Sequence, residues 1–113
     1  MGDVVLKQVA ATLKRVLREE DLIYRYGGEE FVLLMRIPVN EHAQRQAAQR
    51  LLDSVRDLTI TLPNEVTLKA TVTIGIASAK VDEELAGLIK RADDAMYRGE
   101  SSGRDCCVVA DQT

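Results

Sequence analysis

Leu22–Met35 reads LIYRYGGEEFVLLM: two apolar runs on either side of Gly27-Gly28, with two glutamates immediately after the glycines. Leu22, Tyr24 and Tyr26 alternate with Ile23 and Arg25, the period of a strand. Phe31–Ile37 is a second apolar run of strand length. The four residues Gly27 to Glu30 join them, so the stretch predicts a hairpin. Glycine supplies the positive φ that such a turn demands.

Helical spacing surrounds the hairpin. Leu6, Val9, Ala10, Leu13, Val16 and Leu17 predict an amphipathic helix from residue 3 to about residue 19. Pro38 ends the second strand, and Asn40 is placed to cap a helix carrying Ala43, Ala47, Ala48, Leu51, Val55 and Leu58. A turn follows at 62–65. VTLKATVTIGIAS (66–78) alternates throughout and predicts one long strand with one buried face, bent or bulged midway. Asp82 is positioned to cap a last helix with Leu85, Leu88, Ile89, Ala92 and Met96 inward. ESSGRD (100–105) reads as a loop and CCVVA (106–110) as a final strand. The expected class is α+β, with helices packed on an antiparallel-rich sheet in one domain over residues 1–113.

Composition narrows the function. Fifteen basic against eighteen acidic residues give a net charge of −3, which leaves no basic face for DNA. No apolar run approaches the roughly 18 residues of a membrane span, and Asp3 and Lys7 interrupt any signal-peptide core. Adjacent Cys106 and Cys107 resist the geometry of a disulfide, so reduced thiols and a cytoplasmic location are expected, with one thiol in the core and one outside. No Cys/His spacing suggests zinc, and the single His42 reads as a surface residue.

Taken from the residues alone, GGEE admits two readings. The glycines make a turn and the glutamates keep it soluble. Alternatively, glycines without side chains let a flat ligand approach the backbone. The carboxylates beside them then hold Mg²⁺, which takes one or two carboxylates plus phosphate oxygens and water.

Four blocks, in order, bear on that choice: GDVVLKQVA, RYGGEEF, VTLKATVTIGIAS and LIKRADDAMYRGESSGRD. Together they resemble the GGDEF family, the diguanylate cyclases, in its GGEEF form, from Gly2 to about Ala110. The resemblance implies a nucleotidyl cyclase palm of ferredoxin-like type. It also implies condensation of two GTP molecules to cyclic di-GMP for bacterial signalling, with two domains facing each other as a homodimer and Mg²⁺ or Mn²⁺ as cofactor. By position, Gly27 and Gly28 would lie against the nucleotide, Glu29 would bind metal and support catalysis, and Glu30 would assist at the metal. Asp3 would contact the guanine edge, whose N–H groups are donors, and Arg104 would bind phosphate.

The family's inhibitory cyclic di-GMP site implies Arg18 and Asp21, with Arg50 in support. The pattern Arg-x-x-Asp also occurs at Arg50/Asp53 and Arg91/Asp94; position relative to Gly27 selects the first. Bidentate Arg contacts suit the O6 and N7 of guanine.

The chain departs from the family pattern in two places. Family members begin one strand earlier, with a D-x-D-x-F-K strand that carries another metal aspartate and lies centrally in the sheet. Its expected absence here leaves two arrangements: Phe31–Ile37 pairs directly with Val66–Ala77, or another chain fills the gap in a strand-exchanged dimer. This chain alone is then expected not to complete the reaction. The second departure is Gly99-Glu100, which stands where the family has Ala-Lys and puts a negative charge at a phosphate-binding position. The alternative function is a degenerate module that senses cyclic di-GMP or GTP, or pairs with another protein. An upstream sensor domain is expected in a longer parent protein.

Overall fold

A computed structural model describes residues 3–110. Helix α1 (Asp3–Val16) turns Val5, Val9 and Leu13 into the core. It ends three residues earlier than its periodicity extends. The backbone N–H of Arg18 donates to Asp21 Oδ2 at 2.9 Å, and that of Asp21 returns to the Arg18 carbonyl, which steers the chain into a strand. Strands β1 (Asp21–Gly27) and β2 (Glu30–Met35) form the expected hairpin. The register shifts between Arg25 and Gly27, so the tip is bulged, and Gly28 carries the positive φ of +49°. Helix α2 (Glu41–Arg56) starts as expected, with Asn40 Oδ1 accepting from the Ala43 N–H at 2.8 Å.

Between α2 and the next sheet strand the structure differs from the sequence reading. The long run 66–78 is two strands. β4 (Thr67–Lys69) pairs with β3 (Thr59–Thr61) in a separate antiparallel ribbon, and β5 (Thr73–Ser78) enters the main sheet. β5 is buried at every position, so its alternation does not separate a core face from a solvent face. Helices on both faces of the sheet are the reason. Helix α3 (Leu85–Ser101) has Glu84 at its N-cap, without a side-chain cap bond; Asp82 instead lies in the preceding loop with φ +64°. At its other end α3 continues through Glu100, which the sequence reading assigned to a loop. Strand β6 (Cys106–Val109) closes the order.

The main sheet runs β1-β2-β5-β6. Only its β1–β2 pairing is antiparallel; β2–β5 and β5–β6 are parallel. The α+β class stands, but the main sheet is not rich in antiparallel pairs, because α2 and α3 carry the chain back to the end where each preceding strand began. β2 pairs directly with β5, one of the two expected arrangements, from Glu30↔Thr73 to Met35↔Ser78. Helices α1 and α2 cover one face over Phe31, Leu33, Met35, Ile74 and Ile76. Helix α3 covers the other over Val32, Leu34 and Ala77. It lies so close to β5 that a Cβ on Gly75 would stand 2.2 Å from the Ala92 carbonyl oxygen.

Candidate functional site

The bulged hairpin brings Glu29 and Glu30 to one end of the sheet with different partners. Glu29 Oε2 accepts from Thr71 Oγ1 at 2.9 Å, and the Glu29 carbonyl accepts from the Thr73 N–H at 2.9 Å. The tip is thereby stitched to the segment that leads into β5. The Glu30 carboxyl lies beside that of Glu100. Its pKa is raised by burial first and by the neighbouring Glu100 carboxyl next, while Arg104 pulls it down.

Glu100 in turn pairs with Arg104, with Oε2 at 3.1 Å from Nε, and accepts from Thr73 Oγ1 at 3.4 Å. Arg104 sits in a loop where Gly103, Arg104 and Asp105 all have positive φ, a conformation that side-chain-bearing residues adopt at a cost. The structure therefore gathers Glu30 and Arg104, both expected, around Glu100, which the sequence reading placed at a phosphate-binding position as a negative charge. A carboxylate in the last turn of a helix opposes the helix dipole. Gly27 and Gly28 have open space around them: a Cβ at either would meet nothing within 4 Å. The side chain of Asp3 lies outside the described residues.

A second constellation forms where α1, β1 and α2 meet. Arg18, Asp21 and Arg50 line one cavity of about 230 Å³, floored by Leu33, Met35 and Leu51. The Asp21 side chain is only 4% exposed, and Arg18 Nε stands 3.7 Å from Oδ2. Its other oxygen, Oδ1, is buried without a hydrogen-bond partner. The other two Arg-x-x-Asp tetrads look different. Arg91 is occupied by the Ser78 carbonyl and Glu83, and Asp53 accepts from Gln49.

A family profile described as "Diguanylate cyclase, GGDEF domain" matches residues 1–106. This chain belongs to the GGDEF family. Its relatives include the diguanylate cyclases DgcZ and DgcM of Escherichia coli. DgcZ is 39% identical over 99% of this chain and 37% of its own length, and DgcM is 40% identical over 96% and 25%. The crystal structure of the GGDEF domain of YfiN (TpbB) from Pseudomonas aeruginosa superposes with a TM-score of 0.76 at 32% identity, covering 98% of this chain and 69% of that one. The chain thus spans about a third or less of the curated relatives named here.

The donors of this GGDEF domain fit a hard divalent cation. They are the carboxylate oxygens of Glu29 and Glu30, hard donors of the kind such ions take. Among the described residues no group of three or more His, Cys, Asp or Glu is placed to hold a metal ion. Nor, among them, is any helix long and apolar enough to cross a membrane.

Proposed function

We propose that this domain binds GTP at the hairpin tip and, facing a second copy, condenses two GTP molecules to cyclic di-GMP. The observation that carries the reading is the meeting of the GGEEF carboxylate Glu30 with Arg104 around one point at the sheet end, in a chain of this family. In each half-reaction the 3′-hydroxyl of one GTP gives up its proton to solvent and its oxygen forms a bond to the α-phosphorus of the other. The bond from that phosphorus to the bridging oxygen of the β-phosphate breaks, and pyrophosphate leaves; the second half-reaction closes the ring.

Gly27 and Gly28 let the nucleotide lie against the backbone. Arg104 meets a phosphate, and Asp3 is the group expected at the guanine edge. Glu29 and Glu30 would hold Mg²⁺ or Mn²⁺, which when bound neutralises phosphate charge and makes the phosphorus easier to attack. Thr71 fixes the Glu29 carboxylate in position. GTP and free thiols both suit a cytoplasmic setting.

A second reading adds cyclic di-GMP at the cavity of Arg18, Asp21 and Arg50, as an inhibitor of the domain or as the ligand of a sensor. The unpartnered Asp21 Oδ1 supports it, because a guanine N1–H or N2–H would satisfy that acceptor. Incubation with GTP and Mg²⁺ followed by chromatography tests the first reading: cyclic di-GMP would show that this chain completes the reaction despite the expected absence of the D-x-D-x-F-K strand, and unchanged GTP at high protein concentration would limit it to GTP binding. Calorimetry with cyclic di-GMP tests the second, with heat expected from wild type and lost in Arg18→Ala.

A further inference from the structure

Glu100 is held firmly in a place that helix energetics disfavour. It lies in the last turn of α3, where the partial negative charge of the helix terminus repels a carboxylate. A Cβ on Gly99 would stand 2.8 Å from Thr73 Cγ2 and 3.2 Å from Cys106 Sγ, so this end of the helix presses on β5 and β6. That approach delivers the Glu100 carboxylate to Thr73 Oγ1, to the Glu30 carboxyl and to the Arg104 guanidinium. The Glu100 side chain is 20% exposed, whereas that of Arg104 is 73% exposed. Arg104 is therefore tethered to the site from solvent by this carboxylate. A residue that breaks a local rule while its neighbours fix it in place points to a task beyond stability.

We infer that Glu100 is an internal competitor for ligand phosphate: its carboxylate occupies Arg104 and so weakens the grip of the hairpin-tip site on a triphosphate. The inference rests on the GTP-binding reading above and concerns the affinity of that same site. A phosphate arriving at Arg104 must displace the carboxylate and then lie beside it. Loss of one exposed ion pair changes affinity by up to about fivefold, and the adjacent like charge adds to this. Relief of both is expected to tighten GTP by about tenfold.

The test is calorimetric titration of GTP with Mg²⁺ into wild type, Glu100→Gln, Arg104→Ala and the double variant, with guanosine titrated in parallel. Gln is isosteric with Glu, and a melting curve for each protein verifies the fold. Glu100→Gln is expected to bind GTP about tenfold more tightly and guanosine unchanged within twofold, with the GTP gain absent in the Arg104→Ala background. Equal gains for GTP and guanosine would reveal a mere structural effect and overturn the inference. So would a gain that survives without Arg104, or a GTP affinity that is unchanged or weaker; the weaker case would make Glu100 a metal ligand. If none of the four proteins takes up GTP, the proposed function falls and the inference with it. Equal GTP binding by wild type and Glu100→Gln overturns the inference alone.

Discussion

At the hairpin tip, a Cβ added to Gly27 would meet no heavy atom within 4 Å, and the residue does not occupy the left-handed region. Gly27→Ala is therefore expected to change stability by no more than about 0.5 kcal/mol. If the nucleotide lies against this backbone, the same methyl group obstructs it, and GTP affinity should fall by about tenfold. Melting and calorimetry on one preparation separate the two effects; a loss of both together would mean that the glycine is there only to make the turn. Cys107 offers a second residue-scale expectation. Burial pushes its thiol from the ordinary value of 9.0 up to about 12, so the folded state holds the proton more tightly than the unfolded chain. Its contribution to stability is complete below about pH 9 and is lost as pH rises toward about 12. Between pH 9 and 10.5 the decline is at most about 2 kcal/mol, and Cys107→Ala should lack it in urea unfolding series at the two pH values. That Glu29 and Glu30 sit at a hairpin tip was legible in the sequence, because Gly27-Gly28 and the flanking apolar runs place them there. The negative charge of Glu100 was legible too, but its pairing with Arg104 was not, because α3 runs two residues further than its apolar pattern showed.

Helix α3 and strand β5 meet backbone to backbone at Gly75. The Cβ of an alanine there would stand 2.2 Å from the Ala92 carbonyl oxygen and 2.4 Å from the Met96 nitrogen, and neither can rotate away. The helix must shift as a body, so Gly75→Ala should cost about 3 kcal/mol, read as a lower denaturant midpoint at unchanged m-value. A loss below about 1 kcal/mol would mean that α3 packs more loosely than described. Elements with a clear period and a punctuating residue were readable in advance: α1 from its apolar stripe, the β1–β2 hairpin from its glycines, α2 from Asn40. The run from Val66 to Ser78 was not. Alternation persists through Ala70–Val72, where the chain leaves one sheet and enters another, because buried residues at the crossing keep the same rhythm. β3 has only three residues, too few for a period to register. Strand direction was misjudged for a related reason: the hairpin advertises its antiparallel pairing locally, whereas the parallel pairs arise from helical crossovers whose ends lie far apart in sequence.

At the scale of the whole molecule, the proposed chemistry requires more than one copy. One hairpin tip presents one set of donors, Glu29 and Glu30 with Arg104, and cyclic di-GMP needs two nucleotides attacked in turn. β2 pairs directly with β5 within this chain, and two copies facing each other through their sites are the arrangement the proposed chemistry uses. Such an encounter is weak unless the ligand bridges it, and the rate of cyclic di-GMP formation should then rise with the square of domain concentration in the dilute range. Doubling the protein is expected to give about fourfold more product per unit time at saturating GTP, by mass action between two copies. Fusing two copies through a flexible linker should make the same rate linear in concentration, because the second site is then supplied at a fixed effective concentration. First-order dependence in the unfused chain, with product formed, would mean that the copies are already associated at these concentrations. Adding cyclic di-GMP to the fused pair carries the second reading to this scale. If the cavity of Arg18, Asp21 and Arg50 holds the product, the rate should fall as product accumulates, and Arg18→Ala with Arg50→Ala should restore it without altering the initial rate. Unchanged product inhibition in that variant would assign the inhibition to the hairpin-tip site.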